Sequence, residues 1–397
     1  MRFVHVADTH IGAEASKERA DDFRSAFREI IDRTLELSAR AFVHAGDLFH
    51  SSRPSVKDIV FVASEIKRLI NEGIEVLLLH GNHDRITIKG EVPPQSILEL
   101  FGAKVFGFTS ERRCYTIDGV EFWGIPYMHM EHKEHRDRFI EFLSEIGSQA
   151  KSPAVLVLHQ FFYPPTSFGN PILYADDIPE VFSYAALGHW HLPWKREGFR
   201  YAYPGAPEPT ELASDQAIEK RGFWLVDITE QGVKLEFQAL SCTRPFLYLE
   251  SKEDELIERL NNLKDKIKSS AKKPMLKIKL TVGPDTNADQ LIEGAICTVG
   301  LKREEIILLS PDIDRAIPSP FVDEISEEYK AEDIIAKFFG DDPQQLELVL
   351  AMRDAIRQTE AERESSGTQA TRDRQALIEA AKDAAQRFLK EKENAPY

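Results

Sequence analysis

Cysteine is scarce in this sequence, and the few that are present exclude two kinds of architecture. The 397 residues contain 3 cysteines, Cys114, Cys242 and Cys297, which lie far apart. Such spacing supports neither a disulfide framework nor a zinc–thiolate site. We interpret all three as packing residues in a reducing compartment.

Long apolar runs and an excess of positive charge are also missing. No apolar run approaches the about 20 residues that a membrane-spanning helix needs, and residues 1–12 have the pattern of a strand and a loop rather than of a signal peptide. The net charge of −16, from 50 basic and 66 acidic residues, argues against a protein that holds nucleic acid by overall charge. We therefore expect a cytoplasmic protein without a membrane partner, and the charge leaves a locally positive site open.

The first 242 residues have the pattern of an α/β domain, because short apolar runs rich in β-branched residues alternate with helical stretches. The apolar runs lie at residues 3–7, 41–45, 76–80 and 154–159, and the helical stretches at 20–40 and 56–72. Hairpin strands are predicted at residues 114–123, 222–228 and 234–239. Because hairpin strands pair antiparallel, we expect a sheet that contains both parallel and antiparallel strands.

The rest of the sequence predicts two further units. Alternating strand and helix patterns predict a small α+β domain at residues 243–320, followed by a linker at 321–341. At 342–397 the run Asp342-Pro343-Gln344-Gln345 supplies a helix N-cap, a proline at the first helical position and a glutamine at the third. It begins the first of two amphipathic helices, whose apolar stripes either bind a partner or pack on the body of the protein.

Five short segments of the first domain share one arrangement, in which an apolar strand ends and a potential metal ligand follows at once. They contain six of the 12 histidines. The segments are Asp8-Thr9-His10, Gly46-Asp47-Leu48-Phe49-His50, Gly81-Asn82-His83-Asp84, Leu158-His159 and Gly188-His189-Trp190-His191. Because loops at the carboxyl ends of strands meet in one crevice of an α/β sheet, the pattern predicts a site for two metal ions. Imidazole, carboxylate and amide ligands without a thiolate suit divalent ions such as Mn²⁺.

The order of these segments is similar to that of the calcineurin-like metallophosphoesterase superfamily. Within it, further runs resemble the Mre-eleven/SbcD family of DNA double-strand-break repair nucleases, and the resemblance covers nearly the whole chain. The runs are GDLFHSSRP at 46–54, GNHDR at 81–85, GHWHLP at 188–193, YPG at 203–205 and TRPF at 243–246. The resemblance implies a four-layer α/β/β/α metallophosphoesterase sandwich with a small α+β capping domain and a C-terminal helix-loop-helix.

The resemblance also implies roles for the site residues. Two Mn²⁺ ions per chain are expected, with Mg²⁺ or other divalent ions as alternatives. The first would be held by Asp8, His10, Asp47 and His191, and the second by Asp47, Asn82, His159 and His189. His83 is not needed as a ligand and is expected to protonate the leaving alkoxide, with Asp84 orienting its ring and His50 pairing with it.

The function that the resemblance implies is Mn²⁺-dependent DNA cleavage, as a 3′→5′ exonuclease on double strands and an endonuclease on single strands. Residues 1–242 would be the nuclease domain and 243–320 the capping domain, while 342–397 would grip the coiled coil of a Rad-fifty/SbcC-type ATPase. A homodimer contact near residues 56–70 and a nucleoid-associated location are also implied.

Two alternatives stay open. Another calcineurin-like enzyme, such as a cyclic-nucleotide phosphodiesterase or a phosphatase, would not need the roughly 150 residues that follow the catalytic domain. A DNA-tethering scaffold with a vestigial site would not need an intact set of metal ligands.

Other histidines and lysines have simpler interpretations. His5, His44 and His80 fall inside apolar strands and are expected to be structural. The three histidines at 129, 132 and 135 open a charged helix and are expected to be solvated. For the lysine-rich run at 264–273, a solvated helix end and a contact to DNA are equally compatible with the pattern.

Overall fold

The computed structural model describes residues 1–13, 17–85, 91–130, 132–165, 173–218 and 220–315. Within these ranges the helices are α1 (Lys17–Glu36), α2 (Val56–Asn71), α3 (Lys133–Gln149), α4 (Leu256–Ser269) and α5 (Ala288–Thr298). None of these helices combines the length and the apolar character that crossing a membrane requires. The predicted linker at 321–341 and the predicted helix-loop-helix at 342–397 lie outside the described residues, as does the end of the predicted capping domain.

The strands of the described part begin at the second residue and end at residue 315. In chain order they are β1 (Arg2–Val6), β2 (Ala41–Ala45), β3 (Glu75–Leu79), β4 (Lys104–Val105), β5 (Cys114–Ile117), β6 (Val120–Ile125), β7 (Ala154–His159), β8 (Phe162–Tyr163), β9 (Leu173–Tyr174), β10 (Phe182–Gly188), β11 (Tyr201–Ala202), β12 (Gly222–Thr229), β13 (Gly232–Ala239), β14 (Phe246–Lys252), β15 (Met275–Val282), β16 (Ile307–Leu308) and β17 (Asp312–Arg315).

Apart from β8 and β9, which pair with each other, the strands up to β13 form two mixed sheets, whereas the strand patterns alone suggested one. The first sheet has the order β13-β12-β1-β2-β3-β4, and the second has the order β11-β10-β7-β6-β5. Parallel strands occupy the middle of both sheets. The predicted hairpins β5–β6 and β12–β13 pair antiparallel at their edges.

Three apolar cores separate four layers, as the resemblance implied. One core lies between helices α1 and α2 and the first sheet, the second lies between the two sheets, and the third lies between the second sheet and α3. Side-chain alternation divides each strand between two cores: Phe3 faces the other sheet while Val4 faces the helices, and Val157 and Leu158 divide in the same way. The near-continuous apolar strands of the sequence are thus explained by burial on both faces.

A third sheet follows the sandwich and has its own apolar core with α4 and α5. Strand β15 lies between β14 and both β16 and β17, and all of these pairs are parallel. The sequence pattern predicted these elements except β17, and it did not give the direction of the strands. The role of this sheet as a cap stays a proposal.

A buried ion network joins the third sheet to α1. Asp22 of α1 is 2% exposed and accepts hydrogen bonds from Arg244 Nε at 2.6 Å and from Lys272 Nζ at 2.9 Å. Arg19 bridges Asp22 and the buried Glu208. Lys272, the one lysine of the basic run in this network, therefore has a structural partner.

Candidate metal centre

The predicted ligands lie at the carboxyl ends of β1, β2, β3, β7 and β10 and in the loops that follow. Backbone hydrogen bonds hold the first two loops together, from Asp8 N to Gly46 O and from His10 N to Asp47 O, both at 3.0 Å. Four predicted ligands have φ between 43° and 89°, a region that non-glycine residues rarely adopt. They are Asp8, His10, Asp47 and His189. Strain concentrated on these residues is typical of a functional site.

Two glycines allow these loops to approach one another. Gly46 has a φ of +100°, and a Cβ there would lie 2.2 Å from Nδ1 of His159. A Cβ at Gly81 would lie 2.2 Å from Oδ1 of Asp47. Any side chain at either position would displace a predicted ligand, which explains the glycine before Asp47 and before Asn82.

The residues predicted for the first metal position converge. His10 Nε2 lies 3.2 Å from His191 Nε2 and 3.7 Å from Asp47 Oδ2, and His191 Nε2 lies 3.8 Å from Asp8 Oδ1. The side chains of Asp8, His10 and Asp47 are fully buried. Two imidazole nitrogens and two carboxylates thus face one point.

The residues predicted for the second position lie on the other side of Asp47. His159 Nε2 lies 3.0 Å from Asn82 Oδ1 and 3.3 Å from Asp47 Oδ2, and the His159 and His189 rings are 4.9 Å apart. His159 donates from Nδ1 to Ala45 O at 2.8 Å, so its Nε2 faces the site. Asp47 Oδ2 is therefore shared between the two groups.

The donor set fits a pair of divalent cations. Asp47 Oδ2 is buried without a hydrogen-bond partner among the described residues, a costly state for a carboxylate oxygen unless a cation faces it. Mixed imidazole, carboxylate and amide donors suit divalent ions of intermediate hardness. The residues present would thus hold two metal ions with Asp47 as the bridge.

The charges of the site are strongly coupled. Burial lowers the pKa of the His10, His189 and His191 imidazoles, in the last case to about 4, so that all three are neutral and have a free lone pair. Burial would also lower the pKa of His159, but the carboxylates of Asp47 and Asp8 outweigh it and raise that pKa to about 9. In the metal-free chain the protonated His159, 3.3 Å from Asp47 Oδ2, therefore supplies the positive charge that a metal ion would supply in its place.

This proton makes metal binding dependent on pH. Because the pKa of His159 is about 9, a metal ion must displace its proton at neutral pH. We expect the affinity to fall by up to about tenfold for each pH unit below that pKa. Calorimetric titration with Mn²⁺ at pH 7 in two buffers of different ionisation enthalpy should show proton release, and a binding heat that is independent of the buffer would contradict this account.

His83 and His50 lie together at the mouth of the site. Their rings stack with centroids 5.1 Å apart, and the His83 ring also meets the His10 ring edge-on at 4.9 Å. The backbone N–H of His83 donates to Asp47 Oδ1 at 2.9 Å, and its side chain is exposed. His83 is thus fixed beside the metal position and remains accessible to a substrate.

Asp84 forms its hydrogen bonds with groups other than the His83 ring in the part of the chain that the structure describes, and its role in orienting that ring stays a prediction. Its carboxylate is fully buried and accepts hydrogen bonds from Phe49 N at 3.0 Å, from Gly81 N at 2.8 Å and from the Gln95 side chain. These partners lie on the loop itself and on the neighbouring segments that contain Phe49 and Gln95. Asp84 thus fixes the loop that carries Asn82 and His83.

Removing the Asp84 carboxylate should loosen this loop. Asp84→Ala leaves three buried donors without an acceptor, and each unsatisfied donor costs about 1–3 kcal/mol. We expect the free energy of unfolding, measured by urea denaturation, to fall by about 3 kcal/mol or more. Asp21→Ala, which removes an exposed partner of Arg24 on helix α1, is the matched control and should change it by less than about 1 kcal/mol. Equal effects of the two substitutions would show that the buried contacts do not stabilise the loop.

One supporting residue was not predicted. Thr210 Oγ1 lies within hydrogen-bonding distance of His191 Nδ1, at 3.0 Å; when Nε2 of this ring binds a metal ion, Nδ1 carries the proton and Thr210 Oγ1 accepts its hydrogen bond. No pattern near Thr210 indicated this role, because the contact joins residues 19 positions apart through a loop.

Thr210→Val keeps the shape of the side chain and removes the acceptor. We expect Mn²⁺ affinity at the first position to fall by about 10–100-fold, the usual effect of losing such a support. Calorimetric titration measures the change, and Thr210→Ser should restore most of the affinity. An unchanged Mn²⁺ affinity in Thr210→Val would show that Thr210 does not support His191 as a metal ligand.

Histidines outside the site have structural surroundings. His5 hydrogen-bonds with Tyr184 Oη and the Leu187 carbonyl, and His44 with Thr9 Oγ1. His80 is also buried. The three histidines near α3 are all exposed, His132 and His135 at its beginning and His129 before it, as predicted for solvated residues.

Comparison with known proteins gives consistent matches. The family model for calcineurin-like phosphoesterases matches residues 1–193. A DNA double-strand break repair protein Mre11 from Thermoplasma acidophilum is 31% identical over 300 residues, which cover 70% of this chain and 76% of the relative. The Mre11 protein of Methanocaldococcus jannaschii is 29% identical over 310 residues, covering 74% and 81%. The Mre11 protein of Methanopyrus kandleri is 30% identical over 273 residues, which are 63% of this chain and only 59% of that relative.

Proposed function

The chain belongs to the Mre11 family of calcineurin-like phosphoesterases, and from this premise we propose that it is a DNA nuclease that hydrolyses phosphodiester bonds at double-strand breaks. The observation that carries the proposal is the carboxylate of Asp47, whose buried Oδ2 accepts no hydrogen bond from any residue that the structure describes and lies between two groups of ligands. Such a shared carboxylate is the feature that a two-metal phosphoesterase requires.

Seven side chains would hold the two cations. Asp8, His10, Asp47 and His191 would form the first position, and Asp47, Asn82, His159 and His189 the second. When bound, the cations supply an activated water and stabilise negative charge on the phosphoryl oxygens. Only Asp8 and Asp47 among the seven are acidic, so two divalent ions would leave a formally positive centre in a chain of net charge −16.

His83 is the residue best placed to act on the leaving group. Its exposed imidazole stands at the mouth of the site, and its backbone is anchored to Asp47. From there it would donate a proton to the departing alkoxide, a step that general acids typically accelerate by about 10²–10⁴-fold. The stacked His50 ring would hold the His83 ring in place and help to position the phosphate.

The identity of the metal, the modes of DNA cleavage, the partner and the location are inferred from the resemblance. We infer Mn²⁺ as the metal, 3′→5′ exonuclease activity on double-stranded DNA and endonuclease activity on single-stranded DNA. The partner would be a Rad-fifty/SbcC-type coiled-coil ATPase, gripped by residues 342–397, and the location would be cytoplasmic and nucleoid-associated. The third sheet, which begins at Phe246, would act as the cap.

A homodimer is supported by exposed apolar side chains on and near α2. Val56 and Val60 of that helix are 76% and 58% exposed, and Leu100, in the short helical segment that contacts α2, is 82% exposed. Several large apolar side chains exposed in one neighbourhood are typical of an interaction surface. The dimer contact that the resemblance implies near residues 56–70 coincides with this surface.

Purified protein with Mn²⁺ tests the proposed activity. We expect loss of 3′-terminal nucleotides from linear duplex DNA and cleavage of circular single-stranded DNA, both abolished by a chelator. A phosphomonoester and a cyclic nucleotide are the comparison substrates. Turnover of these small substrates alone would contradict the proposal, and turnover of no substrate would favour a tethering scaffold.

A further inference from the structure

Arg85 follows Asp84 directly and lies at the edge of the metal centre. Its Cζ is 5.4 Å from the centroid of the Tyr127 ring. The Tyr127 ring in turn lies 5.5 Å from the His189 ring and 6.1 Å from the His159 ring. The guanidinium therefore borders the second metal position, one aromatic ring away from its ligands.

Arg85 has no anionic partner in the part of the chain that the structure describes. Among the other arginines of the described residues, only Arg138 and Arg196 also lack both an ion pair and a hydrogen bond to a backbone carbonyl. The rest form one or the other. A chain with 66 acidic residues has many carboxylates available for pairing. A half-buried guanidinium without a carboxylate, beside a phosphoesterase site, thus has unused donors for a phosphate.

The aromatic ring beneath Arg85 is held by its neighbours, the His159 and His189 rings, and by the anchored backbone of Tyr127. Tyr127 N donates to His80 O at 3.3 Å, immediately before the Gly81 loop. A guanidinium that stacks on an aromatic ring keeps the donors at its edge exposed and loses little freedom when it binds an anion. Arg85 is therefore held in advance of substrate binding.

We propose that Arg85, supported by Tyr127, is a second phosphate subsite that binds the phosphate next to the scissile one in a nucleic-acid strand. The inference rests on the proposed nuclease function and specifies its substrate class. The metal centre acts on one phosphodiester, whereas Arg85 lies beyond the ligands, on the far side of the Tyr127 ring, where a neighbouring phosphate of the same strand would pass. The guanidinium donates to two phosphate oxygens at once, which an ammonium group does not reproduce.

Two substrates separate this role from a structural one. Bis(p-nitrophenyl) phosphate contains a single phosphate, and a single-stranded oligothymidylate contains many. For Arg85→Ala we expect the KM for the oligonucleotide to rise about tenfold or more, with kcat within about twofold of wild type. The kcat/KM for the small diester should stay within about twofold. Arg85→Lys should restore only part of the oligonucleotide affinity.

Arg196→Ala is the matched control, because Arg196 is also without an anionic partner and lies over an aromatic ring, that of Phe199, at 5.9 Å. It should leave both substrates unaffected. Oligonucleotide binding, measured by fluorescence anisotropy with Ca²⁺ in place of Mn²⁺, should show a salt slope smaller by about 1 in Arg85→Ala than in wild type.

The possible failures are distinguishable. If Arg85→Ala loses activity on both substrates equally, Arg85 supports the metal centre and the subsite is overturned. An unchanged oligonucleotide KM and salt slope, in a wild type that cleaves the oligonucleotide, would also overturn it. A wild type that hydrolyses the small diester but not the oligonucleotide would instead contradict the proposed nuclease function.

Discussion

Asp47→Asn is expected to abolish metal-dependent hydrolysis, with a fall of about 10⁴-fold or more in kcat/KM. The carboxylate is fully buried, and its Oδ2 lies 3.3 Å from His159 Nε2 and 3.7 Å from His10 Nε2, so both positions lose the same charged ligand. The asparagine keeps Oδ1 as the acceptor for His83 N, and the fold should therefore survive.

Metal content and thermal unfolding together distinguish a loss of metal ions from a loss of the fold in Asp47→Asn. We expect dialysed Asp47→Asn to retain less than one Mn²⁺ per chain under conditions in which the wild type retains two. Its thermal unfolding should be cooperative, since the substitution removes a buried charge that the metal-free chain must accommodate. Asp118→Asn is the control for a generic loss of one carboxylate and should behave as the wild type. Two retained metal ions in Asp47→Asn would exclude Asp47 as the bridge.

His83→Ala is expected to lower kcat on DNA by about 10²–10⁴-fold while metal content stays unchanged. The side chain is exposed and is not one of the seven proposed ligands, so its removal should affect the chemical step rather than metal binding. Single-turnover cleavage of labelled duplex DNA and metal analysis of the same preparation measure the two effects.

The leaving group provides the sharper readout. A p-nitrophenolate needs no protonation to depart, so His83→Ala should lose much less activity on bis(p-nitrophenyl) phosphate than on DNA. His135→Ala, which removes an exposed histidine at the beginning of α3, is the control and should change neither. An equal loss on both substrates would mean that His83 does not protonate the leaving group.

The residues that face the metal positions were predictable because they follow the ends of apolar strands. Strands buried on both faces appear in the sequence as continuous apolar runs, and their ends mark where ligands can begin. Asp8, Asp47, Asn82, His159 and His189 each follow such a run, and the structure brings all five together. The same runs gave the sandwich domain, whose hairpins were predicted at residues 114–123 and 222–239.

The supporting contacts were not predictable because they depend on packing between distant segments. Asp84 binds Phe49 N, 35 residues away, and no local pattern distinguishes that arrangement from a contact with its neighbour His83. Thr210 reaches His191 across a loop, and Arg85 depends on Tyr127 of another strand end. The division of the strands into two sheets likewise follows from which apolar faces meet, and a strand pattern does not contain that information.

Anomalous scattering from crystals grown with Mn²⁺ would locate the two proposed metal ions. We expect two peaks about 3.5–4 Å apart, with one carboxylate oxygen of Asp47 between them. The peak nearer His10 and His191 should also contact Asp8, and the other should contact Asn82, His159 and His189. A single peak, or two peaks that do not share Asp47, would contradict the two-metal site on which the proposed function rests.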